Sequence, residues 1–187
     1  MHRRALHIFR RDLRLEDNTA LGRALSSSRE VVTAFIVDDA QVGAHPYRSA
    51  NGLAFMIESL EGLAHDLAAR GGRLLVLHGS PAQVVASLVA DLGIDAVFFN
   101  RDYTPFSLRR DAAIAEACAG QGVACLTFDD ALLVDPQTFA KDDGRPYTVF
   151  TPFYRKATQR EVRRPSHPHR GHFSRANDYR GATVDPR

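Results

Sequence analysis

The chain reads as a three-layer α/β domain, an open five-stranded parallel sheet with helices on both faces. Two observations carry this. Five apolar runs rich in β-branched and aromatic residues are nearly continuous in hydrophobicity, as strands buried on both faces are. Helical patterns separate each run from the next, so right-handed crossovers join parallel neighbours. The 187 residues, 44% hydrophobic and 25% charged, are enough to bury one core and too few for two of ordinary size.

The first strand covers residues 5–9 and is followed by a short helix over 18–25. The second strand covers 31–37. A long helix over 50–70 sets Leu53, Met56, Ile57, Leu60, Leu63 and Leu67 on one face, and Gly71 with Gly72 stops it. The third strand covers 73–78. Ser80 and Pro81 then supply an N-cap and a first-turn proline for a helix with Val84, Val85, Leu88 and Leu92 facing inward. The fourth strand covers 96–100, a helix 106–120, and the fifth strand 123–128. After Asp135 the pattern dissolves. KDDG at 141–144 reads as an exposed turn, and the stretch from Pro152 is rich in Arg, His, Pro and Gly. We therefore divide the chain into a domain over 1–150 and a basic linker or tail over 151–187. The tail holds nine Lys and Arg against three Asp and Glu, while the body carries fifteen against nineteen. A basic tail of this kind can follow phosphates or simply be solvated.

Several classes of function are disfavoured at once. No apolar run reaches the ~18–20 residues of a membrane helix. The apolar stretch before Arg10 is too short for a signal-peptide core, so a cytoplasmic protein without membrane partners is expected. Cys118 and Cys125 then read as free thiols. No phosphate-loop or dinucleotide glycine pattern follows a strand, and no nucleophile elbow is present. The adjacent carboxylates Asp38-Asp39, Asp129-Asp130 and Asp142-Asp143 point to opposite sides of an extended chain, which suits acid/base partners poorly. His167, His169 and His172 are interrupted by proline and do not form a helical metal site, so no metal is expected.

Ligands of open α/β sheets bind beyond the carboxyl ends of the strands, where strand order reverses. Two dense polar segments lie at such ends: FRRDLRLEDN (9–18) after the first strand and NRDYTPFSLRRD (100–111) after the fourth. If those strands are neighbours, both segments line one crevice, with Asp17 or Asn18 capping the first helix and Asp38 reaching the rim from the second strand. A pair of capping loops held by Arg–Asp pairs would use the same residues.

These segments also carry a resemblance. FRRDLRLEDN (9–18) with Ala20-Leu21, FIVDD (35–39), Arg48 ahead of Phe55 and Ser59-Leu60, LHGSP (77–81), NRDYTPF (100–106) with Arg110-Asp111, and DDGRPYTVFTPFYR (142–155) occur in order. Together they resemble the amino-terminal antenna domain of the DNA photolyase/cryptochrome family. The resemblance implies a Rossmann-like sheet that holds a light-harvesting chromophore, a folate, a flavin or a deazaflavin. The chromophore would pass its excitation to FAD in a following helical domain, which in a photolyase repairs pyrimidine dimers in damaged DNA; a cryptochrome photoreceptor, or a stand-alone nucleotide-binding domain of the same sheet type, is the alternative. The FAD site, the DNA face and the tryptophan chain belong to that helical domain, which lies outside this sequence; there is no tryptophan here. FAD is therefore expected only in the full-length protein, and no catalytic residue in this chain. By position, Arg10, Asp38, Arg48, Asn100, Asp102 and Phe106 are the expected chromophore-binding residues. Thr104 stands where many relatives have glutamate. Phe106-Ser107 stands where folate-binding relatives have Asn-Glu, which removes the acceptor a pterin edge needs and argues against the common folate mode. Phe106 is instead suited to stacking.

Overall fold

A computed structural model describes residues 1–43, 49–133, 140–141, 143–162, 164–165 and 171–184. The elements run β1 (His2–Phe9), α1 (Thr19–Ser27), β2 (Ser28–Val37), α2 (Asp39–Val42), α3 (Ala50–Ala69), β3 (Leu74–His78), α4 (Pro81–Leu92), β4 (Ala96–Asn100), α5 (Pro105–Ala119), β5 (Ala124–Phe128) and α6 (Phe150–Ala157). The strands pair in the order β3-β2-β1-β4-β5, every pair parallel. This is the five-stranded sheet expected from the apolar runs. The order reverses between β1 and β4, so the segments after those two strands meet at one crevice.

Strand alternation divides the core. Leu6 and Ile8 of β1 join Val32, Ala34 and Ile36 of β2 under α4 and α5, where Val85, Leu88, Ile114 and Cys118 close the layer. Ala5 and Phe9 point the other way with Val31 and Phe35, against Leu21 and Leu25 of α1 and Leu60, Leu63 and Leu67 of α3. Burial of this much aliphatic surface on both faces is the main stabilising term.

Two strands begin earlier than their apolar runs. β1 starts at His2 and β2 at Ser28, with His2 opposite Ser28 and Arg4 opposite Glu30. Charge pairing, which apolar patterning does not register, holds this end. Arg4 bonds Glu30 and, at 2.5 Å, Asp178, while the Asp95 carboxylate accepts the Arg3 and Arg4 amides at 2.6 and 3.2 Å. The four-residue α2, capped by Asp38 through the Ala40 amide at 3.0 Å, is too short to leave a periodic signature.

Residues 151–187, read from composition as linker or tail, contain most of α6 and a strap that lies against the body. Val31 donates to the His172 carbonyl at 2.9 Å and accepts from the Ser174 amide at 2.8 Å. Phe173 packs into the layer under α1 and α3, and Ala176 is buried on the opposite face beside Tyr179. The strap thus passes beneath the starts of the strands from one face to the other, and Val184 then donates to the Val76 carbonyl of edge strand β3 at 2.7 Å. Composition missed this because the strap docks through isolated contacts and main-chain bonds rather than a periodic apolar face.

Candidate functional site

At the carboxyl end of the sheet, Asn100 closes β4 and ties the polar loops together. Its Nδ2 donates to Asp12 Oδ2 at 2.6 Å and Asn18 Oδ1 at 2.8 Å, and its Oδ1 accepts the Ala20 amide at 3.0 Å. Asn18 in turn caps α1 by accepting the Leu21 amide at 3.1 Å, and Asp12 Oδ1 accepts the Arg10 amide at 2.9 Å. Every donor and acceptor of the Asn100 amide is therefore spent on the protein.

The second loop is organised around Asp102. Its Oδ1 accepts the Tyr103 amide at 2.7 Å, and its Oδ2 accepts the Ser107 hydroxyl at 2.9 Å. Burial raises the affinity of Asp102 for its proton, but the Ser107 hydroxyl and the Thr104 and Tyr103 amides outweigh it, leaving the carboxyl below its ordinary value. Thr104 caps α5 by accepting the Ser107 amide at 3.2 Å and donates its hydroxyl to Ser107 Oγ at 2.8 Å. Thr104 and Ser107 are thus both committed to a local cap and its loop.

Between these loops, α3 and α5 lies a cavity of about 600 Å³, within the range of small-molecule sites. One wall is apolar and aromatic, from Phe35, Leu53, Phe55 and Met56; the other carries Phe106 and Arg110 of α5, with Arg10 at the strand end. Arg10 is buried with its guanidinium 3.9 Å from the centre of the Phe99 ring and its Nη1 2.6 Å from Asp111 Oδ1. Burial, and then the nearby Arg110, lower its proton affinity. A smaller hollow of about 390 Å³ adjoins across Arg10, Arg11 and Asp102 and reaches Asn100, Arg101 and Asp130.

Of the residues expected from sequence, Arg10, Asp38, Asp102 and Phe106 line the larger cavity, Asn100 lines the smaller one, and Arg48 lies outside the described residues. Sequence reasoning missed Arg110, Leu53 and Met56 as site residues. Leu53 and Met56 were assigned to the buried stripe of the long helix. Only the later part of that stripe, Leu60, Leu63 and Leu67, is buried against the sheet. The first turns of α3 overhang the strand ends, so the same stripe becomes a cavity wall there, and Phe55 beside it is 73% exposed. Among the described residues, no group of three His, Cys, Asp or Glu is placed to hold a metal ion; His167 and His169 are not among them. No described helix is long and apolar enough to cross a membrane.

Comparison with known proteins agrees with this fold. The family model for DNA photolyase matches residues 5–169. A 31.6 kDa uncharacterised protein of a Synechococcus strain is 35% identical over 80% of this chain and 53% of its own length. The deoxyribodipyrimidine photo-lyase of Halobacterium salinarum is 34% identical over 84% of this chain and 34% of its length. Among solved structures, an archaeal photolyase from Sulfolobus tokodaii, described as holding two FAD molecules with the implication of a novel light-harvesting cofactor, is 38% identical with a TM-score of 0.83. The match covers 91% of this chain and 38% of that one. A class III photolyase of Agrobacterium tumefaciens, 28% identical, also gives 0.83, over 93% and 36%. The chain spans about half the length of the first of these relatives and about a third of the photolyases.

Proposed function

Since the chain belongs to the DNA photolyase family, we propose that its cleft holds a light-harvesting chromophore for a photolyase. The whole protein would be a lyase that splits pyrimidine dimers in DNA with FAD bound in a separate helical domain. In this reading the chain itself performs no bond chemistry, works in the cytoplasm, and has that helical domain as its partner. When bound, the chromophore would absorb a near-ultraviolet or blue photon and pass the excitation on.

The observation that carries the reading is the 600 Å³ cavity at the β1/β4 reversal, with an aromatic wall facing a cationic one. Its residues suit a planar heterocycle. Phe35, Leu53 and Met56 would exclude water from its face, Phe106 offers a stacking surface, and Asp38 stands at the rim. Folate fits less well, because the Ser107 hydroxyl is committed to Asp102 and position 106 offers no acceptor for a pterin edge. A flavin or deazaflavin is the better match, and the relative described with two FAD molecules supports that preference.

A spectral titration of the purified chain with FMN, a deazaflavin and methenyl-folate tests this. Saturable binding with a shifted or quenched spectrum is expected for a flavin-type chromophore. Flat titrations with all three would overturn the reading.

A further inference from the structure

The last turn of α5 runs almost directly into β5. Gln121 and Val123 each donate their amide to the Cys118 carbonyl at 3.0 Å, and Gly122 takes the left-handed conformation at φ +69°. This tight reversal brings two side chains together. Cys118, 1% exposed, and the half-buried Cys125 pack on the same apolar cluster beneath α4 and α5. Their thiols meet in a hydrogen-bond contact. They are the two cysteines of the whole chain, and both are unoxidised. Thiols that touch across a turn already closed by main-chain bonds have little loop-closure entropy left to lose on joining. In a reducing compartment, disulfides are transient rather than structural.

We propose that Cys118 and Cys125 are a reversible dithiol/disulfide modification site, oxidised by a low-molecular-weight disulfide, that fastens the end of α5 to edge strand β5. Oxidation takes two exchanges. Cys125, the more open of the two, loses its proton and attacks the small disulfide, forming a mixed disulfide and releasing one small thiol. Cys118 then loses its proton, attacks the Cys125 sulfur and displaces the second small thiol. The two cysteines give up two electrons and two protons, and the small disulfide takes up both. The contact with Cys118, and then burial, raise the proton affinity of Cys125, while the same contact favours the Cys118 thiolate. The first exchange is therefore slow at neutral pH and quickens as pH rises. The bond formed sits at the far end of the helix that carries Phe106 and Arg110 to the cavity.

The test treats the full, reduced chain with oxidised glutathione at mildly alkaline pH. The reaction is then quenched with acid, and remaining thiols are labelled with a maleimide in urea. Mass spectrometry is expected to show a monomer that has lost two hydrogen atoms and takes no label, with both labels regained after dithiothreitol. Cys118→Ser should stop at one glutathione on Cys125. Two labels on the treated, unaltered chain would overturn the proposal, whether or not the variant folds. So would a glutathione adduct on the unaltered chain that never resolves, or a disulfide between two chains.

Discussion

Two buried residues set the local energetics of the site. Asn100 was legible as the junction of β4 and the polar loop because it ends an apolar strand and begins a polar motif. The sequence did not reveal that its amide is spent on Asp12, Asn18 and Ala20. Asn100→Ala leaves the buried Ala20 amide without its acceptor and removes one donor each from Asp12 and Asn18, which keep other partners, so we expect a loss of about 2 kcal/mol, read as a lower urea midpoint with an unchanged slope. His7 left no signal at all: it sits inside an apolar run and looks like strand filler. It is fully buried, edge-on to Phe9 at 4.5 Å, with neither ring nitrogen hydrogen-bonded. Burial, only partly offset by Asp12 and reinforced by Arg10, pushes its pKa down to about 4. The folded state therefore holds the neutral ring while the unfolded chain protonates near 6.5. Its contribution is complete above about pH 6.5 and is lost as pH falls from there towards 4, by about 3 kcal/mol in all. Urea midpoints measured from pH 7.5 to 4 should fall over that window and flatten in His7→Phe. An identical slope in the variant would assign the acid sensitivity elsewhere.

At the scale of elements, the sheet and its flanking helices were readable because each is periodic and bounded by turn chemistry. Pro81 begins α4, Gly93 ends it in the left-handed conformation, and Thr104 caps α5. The strap was not readable, since Phe173, Ala176 and Tyr179 share no repeat. Its docking depends on glycine on both sides of the contact, Gly72 in the body and Gly171 in the strap. A Cβ at Gly72 would stand 2.7 Å from the Phe173 Cβ, and one at Gly171 2.8 Å from the Leu25 Cβ. Neither neighbour is the far end of a flexible side chain. Gly72→Ala should therefore lift Phe173 off the α1 and α3 layer without unfolding the sheet. Hydrogen exchange would report this as faster exchange at the Val31 and Ser174 amides, which bond across the strap, with the β1 and β4 amides unchanged. Exchange at all these amides in step would mean that strap and sheet open as one unit. The overhang of α3 is the other lesson at this scale. A single helical stripe is core at Leu60, Leu63 and Leu67 and cavity wall at Leu53 and Met56, and spacing cannot tell the two apart.

For the molecule as a whole, the described strap over 171–184 docks at the starts of β1 and β2 and along edge strand β3, while the cleft lies at the carboxyl end of the sheet. Arg10, Asp38, Asp102 and Phe106 line the cavity from strand ends that were legible in the sequence, but that β1 and β4 are neighbours needed the fold. Its apolar wall comes from a different part of the chain and needed the fold. The central claim is that this cavity is the chromophore site, and counting bound chromophore per chain tests it most directly. The unaltered chain and a Met56→Trp variant, whose larger side chain fills the apolar wall, would be saturated with FMN and passed through gel filtration side by side. One flavin per unaltered chain and almost none on a variant with an unchanged circular dichroism spectrum is the predicted result. Equal loading of both chains would contradict it.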